Sequence, residues 1–205
     1  MSFDRRRAAL VALALALALA VACHGNADDL GPAEGPSTPP EGPCAVETAT
    51  PADEGAMHVP ACSPVSYRSR PPSSGSHYPL WPVFRTYDRP VPWGYLVHAL
   101  EHGAVAIVYN CPDGCPDDLA QARAMIAALP PRPGCSGPPV ILAPDPTLDV
   151  RFAASSWRHV LRARCFDRDR FDAFVEQHEN HGRELIPDDR GEVDREQPGW
   201  CGGAP

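Results

Sequence analysis

The stretch YLVHALEHGAVAIVYN, residues 95–110, changes character at its centre, and that change decides the fold. YLVHALEHG reads as a short helix stopped by Gly103, because the residue just past a helix commonly takes positive φ. AVAIVYN then follows as an unbroken apolar run of strand length, which is the pattern of a strand buried on both faces. A helix running directly into a buried strand implies a layered domain with helices packed on a sheet.

Regular structure continues downstream. Residues 116–129, PDDLAQARAMIAAL, read as an amphipathic helix with Pro and acids in its first turn. PVILAP is a second buried strand, and VRFAASSW with HVLRARCF reads as a hairpin. DRDRFDAFVEQHENHG closes as a helix, with Asp167 as N-cap and Gly182 as the stop. The order helix, strand, helix, strand, strand, strand, helix predicts a single α+β domain with a small mixed sheet flanked by helices. Upstream, residues 44–95 carry turn residues and few periodic runs, so this half is expected to be irregular, disulfide-stapled and wrapped over the core by Tyr67, Tyr78, Trp81, Phe84, Tyr87 and Trp93. No internal repeat is visible.

The chain begins with three arginines, an Ala/Leu/Val run and small residues before Cys23, which is the layout of an export signal. The run is short for a membrane span. Its ending at Cys23 resembles a bacterial lipoprotein signal, although Ala20 stands where such signals more often carry leucine. The expected organisation is a signal at 1–22, a lipid-anchored disordered linker at 23–43, the α+β domain at 44–187 and a tail at 188–205. The expected address is the bacterial envelope, periplasmic or cell-surface, with the membrane as partner through the lipid.

Charge narrows the partners. The formal net charge is -8, and removal of the signal, with its three arginines and one aspartate, leaves -10. Such an acidic chain lacks the basic surface that neutralises phosphates, so nucleic acid is excluded as a partner. Every basic residue is arginine, a bias of base composition without functional content. Protein partners are not legible.

With Cys23 assigned to lipid, seven cysteines remain, an odd number that leaves one without an internal partner. CPDGC suits a local structural disulfide between Cys111 and Cys115, since as a redox motif it has three intervening residues where the thioredoxin motif has two, and Cys44 with Cys62 is the next expected bridge. Zinc thiolates are a weaker reading, because only one closely spaced pair exists and export favours disulfides.

Two segments then resemble a known family. RPPSSGSHYPLW, followed by YDRPVPWGYLVHALEHGAVAIVYN, is similar to domain of unknown function 3105, a family of exported or membrane-anchored bacterial domains. That family pattern has an Asn-Pro-Pro-Thr-Ser-Gly-Pro-His segment and a Val-His-Asn-Leu-Glu-His-Gly segment, corresponding to Arg70–His77 and Val97–Gly103. Arg70, Ser73, Ser76 and Ala99 depart from it, whereas His77, His98, Glu101 and His102 are retained. The resemblance covers roughly residues 56–187 and implies a fold but no activity.

Function must therefore come from chemistry. In a helix, His98 and His102 lie on one face with β-carbons about 6 Å apart, within reach of a single ion. His77 on its loop and His58 in AMHVP complete a candidate set for zinc or copper, and a contribution from Met57 favours copper. Glu101 is a ligand, an orienting group or a base acting on metal-bound water. HALEH also matches H-x-x-E-H, the inverted zinc-protease pattern, but the downstream ligand it needs has only Glu176 or Glu179 as candidates. Without metal, the same histidines are buried anchors bonded to carbonyls, in an envelope binding or scaffold module. His178 and His181 form a weaker surface pair, His159 and His24 are uninformative, and Ser73, Ser74 and Ser76 suit a loop better than a nucleophile.

Overall fold

The structure is a computed structural model that describes residues 40–130, 137–185, 191–194 and 200–201. Its elements are β1 (Val46–Ala49), α1 (Trp93–Glu101), β2 (Val105–Tyr109), α2 (Pro116–Ala128), β3 (Val140–Pro144), β4 (Phe152–Ser156), β5 (His159–Ala163) and α3 (Arg168–His178). They form one open five-stranded mixed sheet of order β1-β5-β4-β2-β3, in which only β2 and β3 pair parallel. The expected α+β class with a mixed sheet is the one observed. The signal, Cys23, nearly all of the linker and Cys135 lie outside the described residues.

The apolar run of β2 has a direct cause. Successive side chains point to opposite faces of a strand. Ala106 and Val108 enter a core shared with Leu96, Leu100, Ile141 and Trp157. Val105 and Ile107 enter the other, with Met125, Leu142, Phe152, Phe171 and Phe174. Both faces are covered, so no polar alternation is permitted. α1 covers the first face and is buried from Gly94 through Glu101, with no acid in its first turn and no side-chain cap. Packing rather than end chemistry holds it.

α2 covers the second face more loosely, burying only Ala122 and Met125 behind Pro116 and two first-turn acids. α3 starts as expected, with Asp167 accepting a hydrogen bond from the Arg170 amide at 3.2 Å. Its expected stop at Gly182 is corrected. The helix ends at His178, and Asn180 takes the positive φ of 59°.

β1 has no counterpart in the sequence reading. It is a four-residue edge strand, antiparallel to β5, and its partner residues lie more than a hundred positions away. Arg162, buried in β5, ties it through Glu47 at 2.9 Å and also holds Asp149 at 2.7 Å. The described residues of the segment read as a tail also belong to the fold. Val193 and Cys201 are buried, and Trp200 stacks on Tyr95 with ring centres 4.9 Å apart.

Cys111 and Cys115 are bonded, as expected. The Cys44–Cys62 pairing is corrected: Cys44 joins Cys165 and Cys62 joins Cys201. Nearness in sequence misled, because Cys44 leads into β1 at the sheet edge beside the end of β5, whereas Cys62 lies over the opposite face near the chain's end. These bridges close separations of 121 and 139 residues. In the chain-entropy account each contributes about 5 kcal/mol, against about 2 for the short loop of Cys111–Cys115.

Candidate metal centre

Two backbone devices bring the donors together. The first clasps two loops: the Val59 amide donates to the His77 carbonyl at 2.8 Å and the His77 amide to Met57 at 3.0 Å. This makes His58 and His77 parallel bridge partners, with ring centres 4.8 Å apart. The second is α1, where His98 and Glu101 are three residues apart and share a face. His58, His77, His98 and Glu101 thereby offer donor atoms that all lie within 4.8 Å of one another, a group that can hold a metal ion. His58 is about half exposed at its side chain, while the other three are buried.

The hydrogen bonds say which nitrogens face the space between these groups. His77 Nδ1 lies 2.9 Å from the Gly75 carbonyl oxygen, which only accepts, so Nδ1 carries the proton. Its Nε2 then carries the lone pair and lies 2.9 Å from Glu101 Oε2, without the alignment of a hydrogen bond. Two acceptors at that distance repel unless a cation, either a proton or a metal ion, lies between them. Burial, joined by the charge of the neighbouring imidazoles, pushes the pKa of His98 down to about 3 against the pull of Glu101. Burial alone raises the Glu101 carboxyl, but contact with His77 and the surrounding imidazoles outweighs it and holds the group below its usual value. A neutral imidazole beside an ionised carboxylate is the state that binds a metal.

His102, expected as a ligand, stands beside the four-residue group and outside it. Its Nδ1 donates to the Glu184 carbonyl at 2.9 Å, and its ring packs 4.7 Å from His98. Its buried Nε2 has no hydrogen-bond partner. The arrangement therefore differs from the inverted-protease pattern, in which both motif histidines bind the metal and the glutamate is left free as base.

Two glycines fix the floor of the site. Gly103, at φ 85°, turns the chain out of α1, and its carbonyl receives the Asn180 amide at 2.7 Å. A β-carbon on Gly182 collides with the backbone of Glu101 and Gly103. Only glycine lets the segment after α3 lie against the end of α1, where the Glu184 amide reaches the Glu101 carbonyl at 2.9 Å. Sequence reading missed this role of Gly182, and that of Trp81. The Trp81 ring lies 4.8 Å from His98 and 4.5 Å from His102. Its position four residues after His77 was the available signal.

Among the described residues, the other histidine candidates do not join the centre. His159 and His178 stack on each other with ring centres 4.2 Å apart.

The fold and this centre define a class: a disulfide-bonded α+β domain carrying a largely buried histidine–glutamate group. The chain belongs to the family described as Protein of unknown function (DUF3105), whose model matches residues 58–192. No curated protein and no solved structure matches it. Among the described residues no helix is long and apolar enough to cross a membrane. The disulfides fit a location outside the reducing cytoplasm.

Proposed function

We propose that this protein is a metal-binding lipoprotein of the bacterial envelope that holds one zinc or copper(II) ion through His58, His77, His98 and Glu101. The observation that carries the reading is the approach of the unprotonated His77 Nε2 to the Glu101 carboxylate at 2.9 Å inside a group of four donors. Small side-chain rotations reduce the spacing within the group to the ~3.3 Å between neighbouring donors of a tetrahedral site with ~2.0–2.1 Å bonds. Three imidazoles and a carboxylate suit zinc and copper(II). Copper(I) prefers sulfur, and Met57, beside His58, is 65% exposed.

Glu101 acts here as a ligand, so holding a metal is favoured over hydrolysis of a substrate. The half-exposed His58 leaves one side of the ion open to exchange. Cys23 supplies the anchor, and a Cys23→Ser chain is expected to leave the membrane fraction.

The test is elemental analysis of the protein purified without chelator, beside His77→Ala/His98→Ala. About one ion per chain, lost in the variant, supports the reading. A wild type that carries no zinc or copper and takes up neither on titration overturns it. The proton between His77 and Glu101 is then the cation, and the group is a structural anchor of an envelope binding module.

A further inference from the structure

We propose that the Cys111–Cys115 disulfide is a thiol–disulfide exchange centre that accepts two electrons from an exposed protein dithiol. It lies where β2 ends and α2 begins, within the unit that carries the chain from β2 through α2 to its parallel neighbour β3. Its sulfurs belong to the core on the face opposite the histidine group, so the two sites share no side chain.

Three features separate this bond from the other two. The backbone holds its cysteines together without it. The Asn110 amide bonds Arg151 at 2.9 Å, the Gly114 amide bonds Cys111 at 3.0 Å and the Leu119 amide bonds Cys115 at 3.0 Å. Reduction therefore frees little chain, whereas opening Cys44–Cys165 or Cys62–Cys201 releases a long loop. The intervening Pro112, Asp113 and Gly114 are exposed and leave room for an incoming chain. Finally, the two sulfurs are unequal: Cys111 is partly exposed, whereas Cys115 is buried and occupies the N-cap of the thirteen-residue α2.

That inequality assigns the steps. A substrate thiolate attacks Cys111 Sγ, the sulfur–sulfur bond breaks, and Cys115 leaves as a thiolate at the positive end of α2. The second substrate thiol loses its proton and attacks the substrate sulfur of the mixed disulfide. Cys111 departs as a thiolate, and both protein sulfurs take up protons. The substrate dithiol becomes a disulfide while the protein disulfide becomes a dithiol. Asp117 and Asp118 oppose the thiolate from the same turn, and Arg151, 3.6 Å from Asp118, offsets part of that opposition.

The test incubates the oxidised whole chain with a reduced dithiol peptide, then alkylates free thiols and maps all three bridges by mass spectrometry. Expected is about one peptide disulfide formed per chain, with Cys111–Cys115 reduced, the other two bonds intact and the circular dichroism unchanged. In parallel, Cys115→Ala is expected to take up oxidised glutathione at Cys111 at least about tenfold faster than Cys111→Ala does at Cys115. If the Cys111–Cys115 bond yields only together with the other two, or only as the fold is lost, it is structural and the proposal falls. The wild-type measurement stands even if a cysteine variant fails to fold.

Discussion

The molecule contains two crowded groups of histidines, one at α1 and one between β5 and α3. In both, burial first and neighbouring imidazoles second push one ring down to a pKa of about 3, that of His98 and that of His178. They part in what surrounds the rings. At α1 a carboxylate enters the group, and backbone carbonyls fix the nitrogens of His77 and His102. At the other site His159 and His178 stack face to face with only 18° between planes, and the hydroxyl of Thr50 lies 3.4 Å from His159 Nδ1. Among the described residues only the first forms a group able to hold a metal. Crowding makes imidazoles neutral; a carboxylate among them is what makes a group able to hold a metal.

The largest test of that contrast removes each pair. His77→Ala/His98→Ala is expected to lose bound zinc or copper altogether, an effect exceeding the ~10–100-fold loss typical of an outer group. His159→Ala/His178→Ala is expected to keep about one ion per chain. Metal retained in the first variant and lost in the second, by elemental analysis of both, reverses the assignment.

Next in size is the join between the two regions. Gly182 follows His181 of the second group and lies against the backbone of Glu101 in the first. Gly182→Ala forces that backbone apart and is expected to cost about 2–4 kcal/mol, read as a lower denaturant midpoint. Metal affinity is expected to fall with it, because Glu184 no longer positions His102. A variant as stable as the wild type shows that the close approach is not needed.

His102→Ala acts only through what His102 touches. Metal stoichiometry is expected to remain near one while affinity drops ~10–100-fold, measured by competition with a chelator. Complete loss of metal makes His102 a ligand, drawn in when the ion binds.

Most of the sheet was legible in sequence because β2 and β3 are continuous apolar runs and α3 carries its own N-cap. β1 was not, since four residues with one charge set no period and their meaning comes from Cys165 and Arg162 far along the chain. The histidine group was partly legible. His98 and Glu101 follow from helical spacing, but the approach of His58 to His77 depends on a two-residue bridge between loops, for which no local pattern exists. The exclusion of His102 rests on Glu184, eighty-two residues later. The histidine spacing is written in the sequence; which nitrogen carries the lone pair is written, for His77 and His102, in the bonds to the Gly75 and Glu184 carbonyls.

The smallest effect concerns the second group and has a defined sign. Burial foremost, then His159 and His181, lowers His178 from 6.5 to about 3, and burial also lowers His159. The unfolded chain therefore binds more protons than the folded one between those values. Stability from this group is complete above 6.5 and is lost as the pH falls toward 3. His178→Phe keeps a ring beside Phe174 and cannot take up a proton. Solvent reaches the half-buried His178 and trims the linkage, so between pH 7 and pH 5 the wild type is expected to lose about 2–4 °C more in Tm than the variant. Because the group at α1 is the same in both proteins, the difference between the two curves belongs to the β5–α3 group. Parallel curves mean that His178 is already free to charge in the folded state; the two groups then differ in burial as well as in ligand chemistry.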